Sequence, residues 1–124
     1  MADLVEIQCD LRFESAHLLP NVPEGHKCRR LHGHSYVCRL TVRGPLDPQA
    51  GWVMDFAEVK AAAEPVREAL DHRYLNEVEG LENPTAEYIA KWIWERLAPR
   101  LPGLVSVGLR ETCTARCVYR GPAA

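Results

Sequence analysis

The chain has 124 residues, which suits a single domain over 1–124, and its formal net charge is −2. Its only basic cluster is Lys27, Arg29 and Arg30, which excludes a protein that reads duplex nucleic acid and favours a small anionic ligand. Five unevenly spaced cysteines, no visible signal peptide and no long apolar segment predict a cytoplasmic protein with free thiols and no membrane span.

The first predicted element is a strand over residues 4–17. Its odd positions are apolar and its even positions are polar, which is the pattern of a half-buried antiparallel strand. The apolar positions are Val5, Ile7, Cys9, Leu11 and Phe13. Because the same register continues to His17, its imidazole is expected on the core side of the sheet.

A second strand is predicted over residues 32–43, after a loop rich in proline and glycine. Here the apolar residues occupy even positions, at Tyr36, Cys38, Leu40 and Val42. His32 and His34 share that parity. Side chains two apart on a strand lie on one face, so both imidazoles are also expected on the core side.

Two amphipathic helices follow. Asp55 is the predicted N-cap of the first, with Glu58 as in a capping box, and Pro65 should kink or split this helix near Glu64. The apolar stripe of the first helix is Phe56, Val59, Ala63, Val66 and Leu70. Thr85 is the predicted cap of the second helix, whose stripe is Ala86, Ile89, Ile93 and Leu97.

Two short strands end the chain, before a loose tail at 121–124. One parity of the third strand contains Val105, Val107, Leu109, Glu111 and Cys113, and residues 115–120 form the last strand. The order is therefore ββααββ. It predicts an α+β fold in which a four-stranded antiparallel sheet carries two helices on one face.

His17, His32 and His34 are thus expected to converge from two neighbouring strands. Three imidazoles suit a tetrahedral zinc ion and leave its fourth position open, as a catalytic zinc requires. A single histidine would more often be an ordinary core-edge residue. Convergence by register favours the metal interpretation.

Cys28 leaves two alternatives open. Its thiolate could be a fourth ligand in a closed structural site, or it could be a free thiolate that moves protons. Asp71-His72 is an acid–imidazole pair that could serve proton transfer, although such a dipeptide at a helix end is more commonly an ordinary surface pair. Glu111 either faces inward and binds the edge of an amino-pyrimidine ring, or lies solvated beyond the strand, or pairs with an arginine.

Six segments together resemble the 6-pyruvoyl-tetrahydropterin synthase superfamily, over about residues 5 to 121. They are "FESAHLL", "CRRLHGHSY", "GWVMDFAEVK", "LDHRYLN", "NPTAEYIAKWIWERL" and "ETCTARCVY". Within the superfamily the spacing of Cys28 and His32 is most similar to the carboxy-forming branch of queuosine biosynthesis. One departure is Tyr88, where the family often has asparagine.

The resemblance implies a tunnelling fold, in which sheets of several copies join edge to edge into a barrel with active sites at subunit interfaces. It implies the zinc ligands His17, His32 and His34 and a catalytic Cys28. It further implies Asp71 and His72 as a proton relay and Glu111 as the anchor of the pterin ring.

The implied reaction converts 7,8-dihydroneopterin triphosphate and water to 6-carboxy-5,6,7,8-tetrahydropterin, acetaldehyde and triphosphate. Lys27, Arg29 and Arg30 are candidate ligands of the triphosphate, although a solvated basic loop explains them equally well. Three alternatives stay open. They are a pyruvoyl-forming synthase, an enzyme that cleaves the side chain of sepiapterin-like pterins, and a non-catalytic zinc-stabilised binding protein.

Overall fold

The computed structural model describes residues 3–112 and 114–123, so the predictions for Cys113 lie outside the described residues. The strands are β1 (Leu4–His17), β2 (His32–Pro45), β3 (Leu104–Arg110) and β4 (Arg116–Tyr119), and the helices are α1 (Phe56–Leu70) and α2 (Ala86–Leu97). Two 3₁₀ turns cover Lys27–Arg29 and Leu75–Glu77. The strands form one antiparallel sheet in the order β1-β2-β3-β4, which confirms the predicted element order.

Both helices pack on one face of the sheet, and the core lies between them and that face. The odd positions of β1 from Cys9 onward and the even positions of β2 from Tyr36 to Val42 are buried, as the alternation predicts. The opposite face is polar, with cross-strand contacts such as the Asp10–Arg39 ion pair. None of the helices among the described residues has the length and apolarity needed to cross a bilayer.

Helix α1 differs from its prediction in two respects. It continues through Pro65 from Phe56 to Leu70, so the predicted split is wrong. Proline costs about 3 kcal/mol in a helix interior, whereas burying Val66 and Leu70 contributes about 1.5–3 kcal/mol each. Pro65 lies on the exposed side, where water can satisfy the released carbonyl. Phe56, predicted in the buried stripe, is 54% exposed.

The predicted parity of β3 is also wrong at its first position. Leu104 pairs with Val42 and Ser106 with Thr41, so Val105 is an extra residue in a β-bulge. The bulge reverses the facing of Val105, which lines a groove on the polar face instead of the core. The parity holds from Val107 onward, and the strand ends at Arg110.

A segment after α1, residues 71–76, lies along the outer edge of β1. The His72 N–H donates to the Glu14 carbonyl at 2.6 Å, and the Ala16 N–H donates to the Arg73 carbonyl at 3.0 Å. Ala16 and Tyr74 form a parallel bridge. The segment therefore covers the last part of an edge strand, next to the position where β1 ends at His17.

Candidate metal centre and active site

The end of the β1–β2 pair brings three imidazoles together. His17 pairs directly with His32, and His34 pairs with Ser15, so all three side chains leave the core face of two neighbouring strands. One nitrogen from each ring lies within 4.8 Å of the others. Strand register, which the alternation predicts from sequence, thus produces a group that could hold a metal ion.

His17 is the buried member of this group, with 1% of its surface exposed. Its Nδ1 lies 2.8 Å from the Pro84 carbonyl, which can only accept, so Nδ1 carries the proton. Nε2 is buried and has no hydrogen-bond partner. Burial lowers the pKa of His17, which keeps the ring neutral. A neutral imidazole with a free, desolvated Nε2 is what a metal ligand requires.

His32 repeats this arrangement at the rim of the group. Its Nδ1 lies 2.6 Å from the Arg30 carbonyl, which leaves Nε2 available. His34 is half-buried, and burial lowers its pKa against the opposing effect of Glu111. The donor set is therefore three imidazoles, which suits zinc or a similar divalent ion and leaves room for a further ligand.

Cys28 lies in the short 3₁₀ turn between β1 and β2 and is half-buried. Its thiol does not belong to the group of converging ligand atoms. Two hydrogen bonds hold the backbone of the turn. The Cys28 N–H donates to His26 Nδ1 at 3.0 Å, and the Leu19 N–H donates to the Cys28 carbonyl at 2.7 Å. The catalytic role of Cys28 stays a prediction.

The basic cluster around Cys28 is exposed, at Lys27, Arg29 and Arg30. The Arg29 Nη1 donates to the Pro20 carbonyl at 3.1 Å and to the Val22 carbonyl at 2.9 Å. This guanidinium is therefore partly committed to its own loop. Binding of a triphosphate by the cluster stays a prediction.

Asp71 and His72 are in contact, with Asp71 Oδ2 at 2.9 Å from His72 Nδ1. Asp71 also accepts from the Glu14 N–H at 2.9 Å and faces Arg67 at 3.2 Å. The Glu14 bond first, then the His72 bond, lowers the pKa of Asp71, so it stays ionised. The His72 side chain is 78% exposed and is not part of the three-histidine group. A relay role for the pair stays a prediction.

Glu111 follows the end of β3 and is half-buried. Its Oε2 lies 3.4 Å from His34 Nε2, so the carboxylate stands against the histidine group. A cavity of about 160 Å³ opens beside it, with Ala86, Glu87, Leu109 and Cys117 in its lining. Glu111 is thus a residue predicted from sequence whose side chain the structure places next to the three imidazoles.

Sequence reasoning missed the groups that orient these imidazoles. The acceptor for His17 is the carbonyl of Pro84, which lies 67 positions further along the chain. A backbone carbonyl leaves no mark in the residue pattern. Asn76 was also missed, although it ends the quoted segment "LDHRYLN" and its side chain binds the residue after His17.

Comparison with known proteins gives consistent matches over almost the whole chain. Residues 6–122 match the family model described as 6-pyruvoyl tetrahydropterin synthase. A protein of Synechocystis named 6-carboxy-5,6,7,8-tetrahydropterin synthase is 47% identical over 119 residues, which cover 91% of each chain. A Bacillus subtilis protein of the same name is 33% identical, over 93% of this chain and 84% of its own.

The three-dimensional fold is also similar to that of a solved member of this family. The structure of Caenorhabditis elegans 6-pyruvoyl tetrahydropterin synthase superposes with a TM-score of 0.90 at 28% sequence identity, and the alignment covers 98% of both chains. A score this high over full-length chains means that the strands, helices and connections correspond throughout.

Proposed function

Because the chain belongs to the 6-pyruvoyl tetrahydropterin synthase family, we propose that it is a lyase that acts on a pterin. The reaction converts 7,8-dihydroneopterin triphosphate and water to 6-carboxy-5,6,7,8-tetrahydropterin, acetaldehyde and triphosphate, in the biosynthesis of queuosine. The observation that carries this proposal is the convergence of three imidazoles beside Glu111, in a chain 47% identical to a protein named for that product.

His17, His32 and His34 hold the metal in this proposal, and zinc is the ion that their chemistry favours. A zinc ion held there would supply Lewis acidity toward the hydroxyl groups of the substrate side chain, which would raise the acidity of the neighbouring C–H bond. The carbonyls of Pro84 and Arg30 keep two of the rings in the tautomer that exposes Nε2.

Cys28 is the proposed group that removes and returns protons at the side-chain carbon. Its support is the place of the thiol, since Cys28 lies in the turn four residues before His32, and a proton-transfer group must come within hydrogen-bond reach of the reacting atom. Since the thiol stands apart from the ligand group, it is free for this work.

His72, oriented by its contact with Asp71, is the proposed second proton carrier. The exposure of its ring supports a site shared between copies, in which the pair on one copy faces the thiol of another. This agrees with the proposed homo-oligomer, in which sheets join edge to edge into a barrel and active sites form at the interfaces. The uncovered part of the β1 edge supplies backbone groups for that pairing.

Glu111 is the proposed anchor of the pterin ring, through hydrogen bonds from the amino-pyrimidine edge to its carboxylate. Its support is the adjoining cavity and its position 3.4 Å from His34, which would place the ring next to the metal. Lys27, Arg29 and Arg30 remain the candidate ligands of the triphosphate, since they form the basic cluster nearest Cys28 in the chain.

Mass spectrometry of the products tests the proposal. Zinc-loaded protein incubated with dihydroneopterin triphosphate should yield acetaldehyde and a carboxylated tetrahydropterin, and metal-stripped protein should yield neither. A pyruvoyl product would instead support the second candidate, a pyruvoyl-forming synthase, which the likeness to the Caenorhabditis elegans enzyme favours. The proposal fails if neither acetaldehyde nor a carboxylated pterin is formed.

A further inference from the structure

The side chain of Asn76 binds both backbone groups of the residue that follows His17. The Leu18 N–H donates to Asn76 Oδ1 at 3.0 Å, and Asn76 Nδ2 donates to the Leu18 carbonyl at 2.9 Å. Asn76 is half-buried. The amide thus does for Leu18 what the peptide of a neighbouring strand would do, at the point where β1 ends.

The same Nδ2 also reaches a second segment. It lies 3.5 Å from the Glu82 carbonyl, two residues before Pro84. The Pro84 carbonyl in turn accepts from His17 Nδ1. Asn76 therefore contacts both the strand end that carries His17 and the loop that fixes the tautomer of its ring.

We propose that Asn76 is a positioning residue of the metal centre, which holds His17 and its Pro84 acceptor in a geometry ready for the metal. The inference rests on the assignment of the three imidazoles as metal ligands within the proposed function. It does not require that any pterin be turned over. Orienting groups of this kind typically change metal affinity by about 10- to 100-fold when they are lost.

The contacts explain why an amide is needed at this position. Asn76→Asp keeps the shape and the acceptor for the Leu18 N–H. It removes both donors, however, and sets a carboxylate against the carbonyls of Leu18 and Glu82. The substitution therefore tests the donor function with little change in volume.

The experiment measures zinc affinity by competition with a chromophoric chelator, and the absorption spectrum of the Co²⁺-substituted protein. Asn76→Asp should weaken zinc binding by about 10- to 100-fold and alter the Co²⁺ spectrum. Asn21→Asp makes the same change of charge on an exposed residue of the β1–β2 loop and should leave both measurements unchanged. Thermal unfolding of the metal-free proteins separates metal affinity from any change in stability.

Wild-type affinity and spectrum in Asn76→Asp would overturn the inference. If that variant does not fold, amide hydrogen exchange of the wild-type protein decides instead. The Leu18 amide should be protected like a strand amide, and exchange at the rate of an exposed loop would overturn the inference. A protein that binds zinc in this way but converts no pterin would refute the proposed function and leave the role of Asn76 intact.

Discussion

The three histidines and Cys28 lie close together in sequence, but the fold positions them by different means. The histidines project from paired strands, where the register His17–His32 fixes their backbones through a continuous ladder. Cys28 lies on a short turn held by single hydrogen bonds and by the guanidinium of Arg29. The proposed metal ligands therefore stand on a continuous sheet, and the thiol stands on a turn with few hydrogen bonds.

This difference suits the proposed division of labour. A metal affinity depends on ligands that are preorganised before the ion arrives, which a sheet provides. A proton-transfer group must approach the reacting atom closely after the substrate has bound. A loop can make that adjustment without disturbing the ligands. The two functions should consequently be separable by mutation.

The largest expected effect comes from removing the thiol. Cys28→Ala should lower kcat by about 10²- to 10⁴-fold, since general acid–base groups contribute that much, and should leave zinc content unchanged. Steady-state kinetics and metal analysis measure the two. Cys9→Ala is the matched control, because Cys9 lies on the same face of β1 as His17, eight residues earlier. Zinc release from Cys28→Ala alone would support a closed site with sulfur as fourth ligand.

The second prediction concerns the histidines on the paired strands. His32→Ala removes a proposed metal ligand and should weaken zinc binding by more than the roughly 100-fold expected for an orienting group. Chelator competition measures it. His26→Ala is the control. His26 is an exposed histidine of the loop, and its side chain caps the Cys28 turn. Equal zinc affinity in His32→Ala and the wild type would break the assignment of the metal centre.

The smallest effect concerns the loop. If Arg29 mainly secures the Cys28 turn through the Pro20 and Val22 carbonyls, Arg29→Ala should lower kcat several-fold with every pterin substrate. If it binds the triphosphate, KM should rise for dihydroneopterin triphosphate alone. Kinetics with that substrate and with a pterin lacking the triphosphate separate the two. The contacts with the loop carbonyls favour the first result. An effect confined to KM for the triphosphate substrate would contradict it.

The parts of the fold that follow from a local period were predictable from the sequence. Alternation gave the bounds of β1 and the core-side facing of His17, His32 and His34, because burial on one face of a sheet imposes a period of two. Thr85 and Asp55 were recognisable as helix caps for a similarly local reason, since their side chains accept from the first turn.

The remaining features depend on contacts between distant parts of the chain. The bulge at Val105 arises from a mismatch with β2, and nothing in β3 alone indicates it. The continuity of α1 through Pro65 reflects burial against the sheet, which outweighs the local cost of proline. The Pro84 carbonyl that accepts from His17 and the Asn76 side chain that binds Leu18 belong to segments that only the tertiary fold brings near.

The segment over residues 71–76 has one more consequence. It covers the outer edge of β1 from Glu14 onward. Within the described ranges, the outward-facing N–H and carbonyl groups of residues 4–13 of β1 form no hydrogen bonds with other backbone. A strand of another polypeptide can therefore form backbone hydrogen bonds with β1 only up to Phe13. The segment thus limits the register of any such strand pairing. It also keeps the backbone of another chain away from the imidazoles.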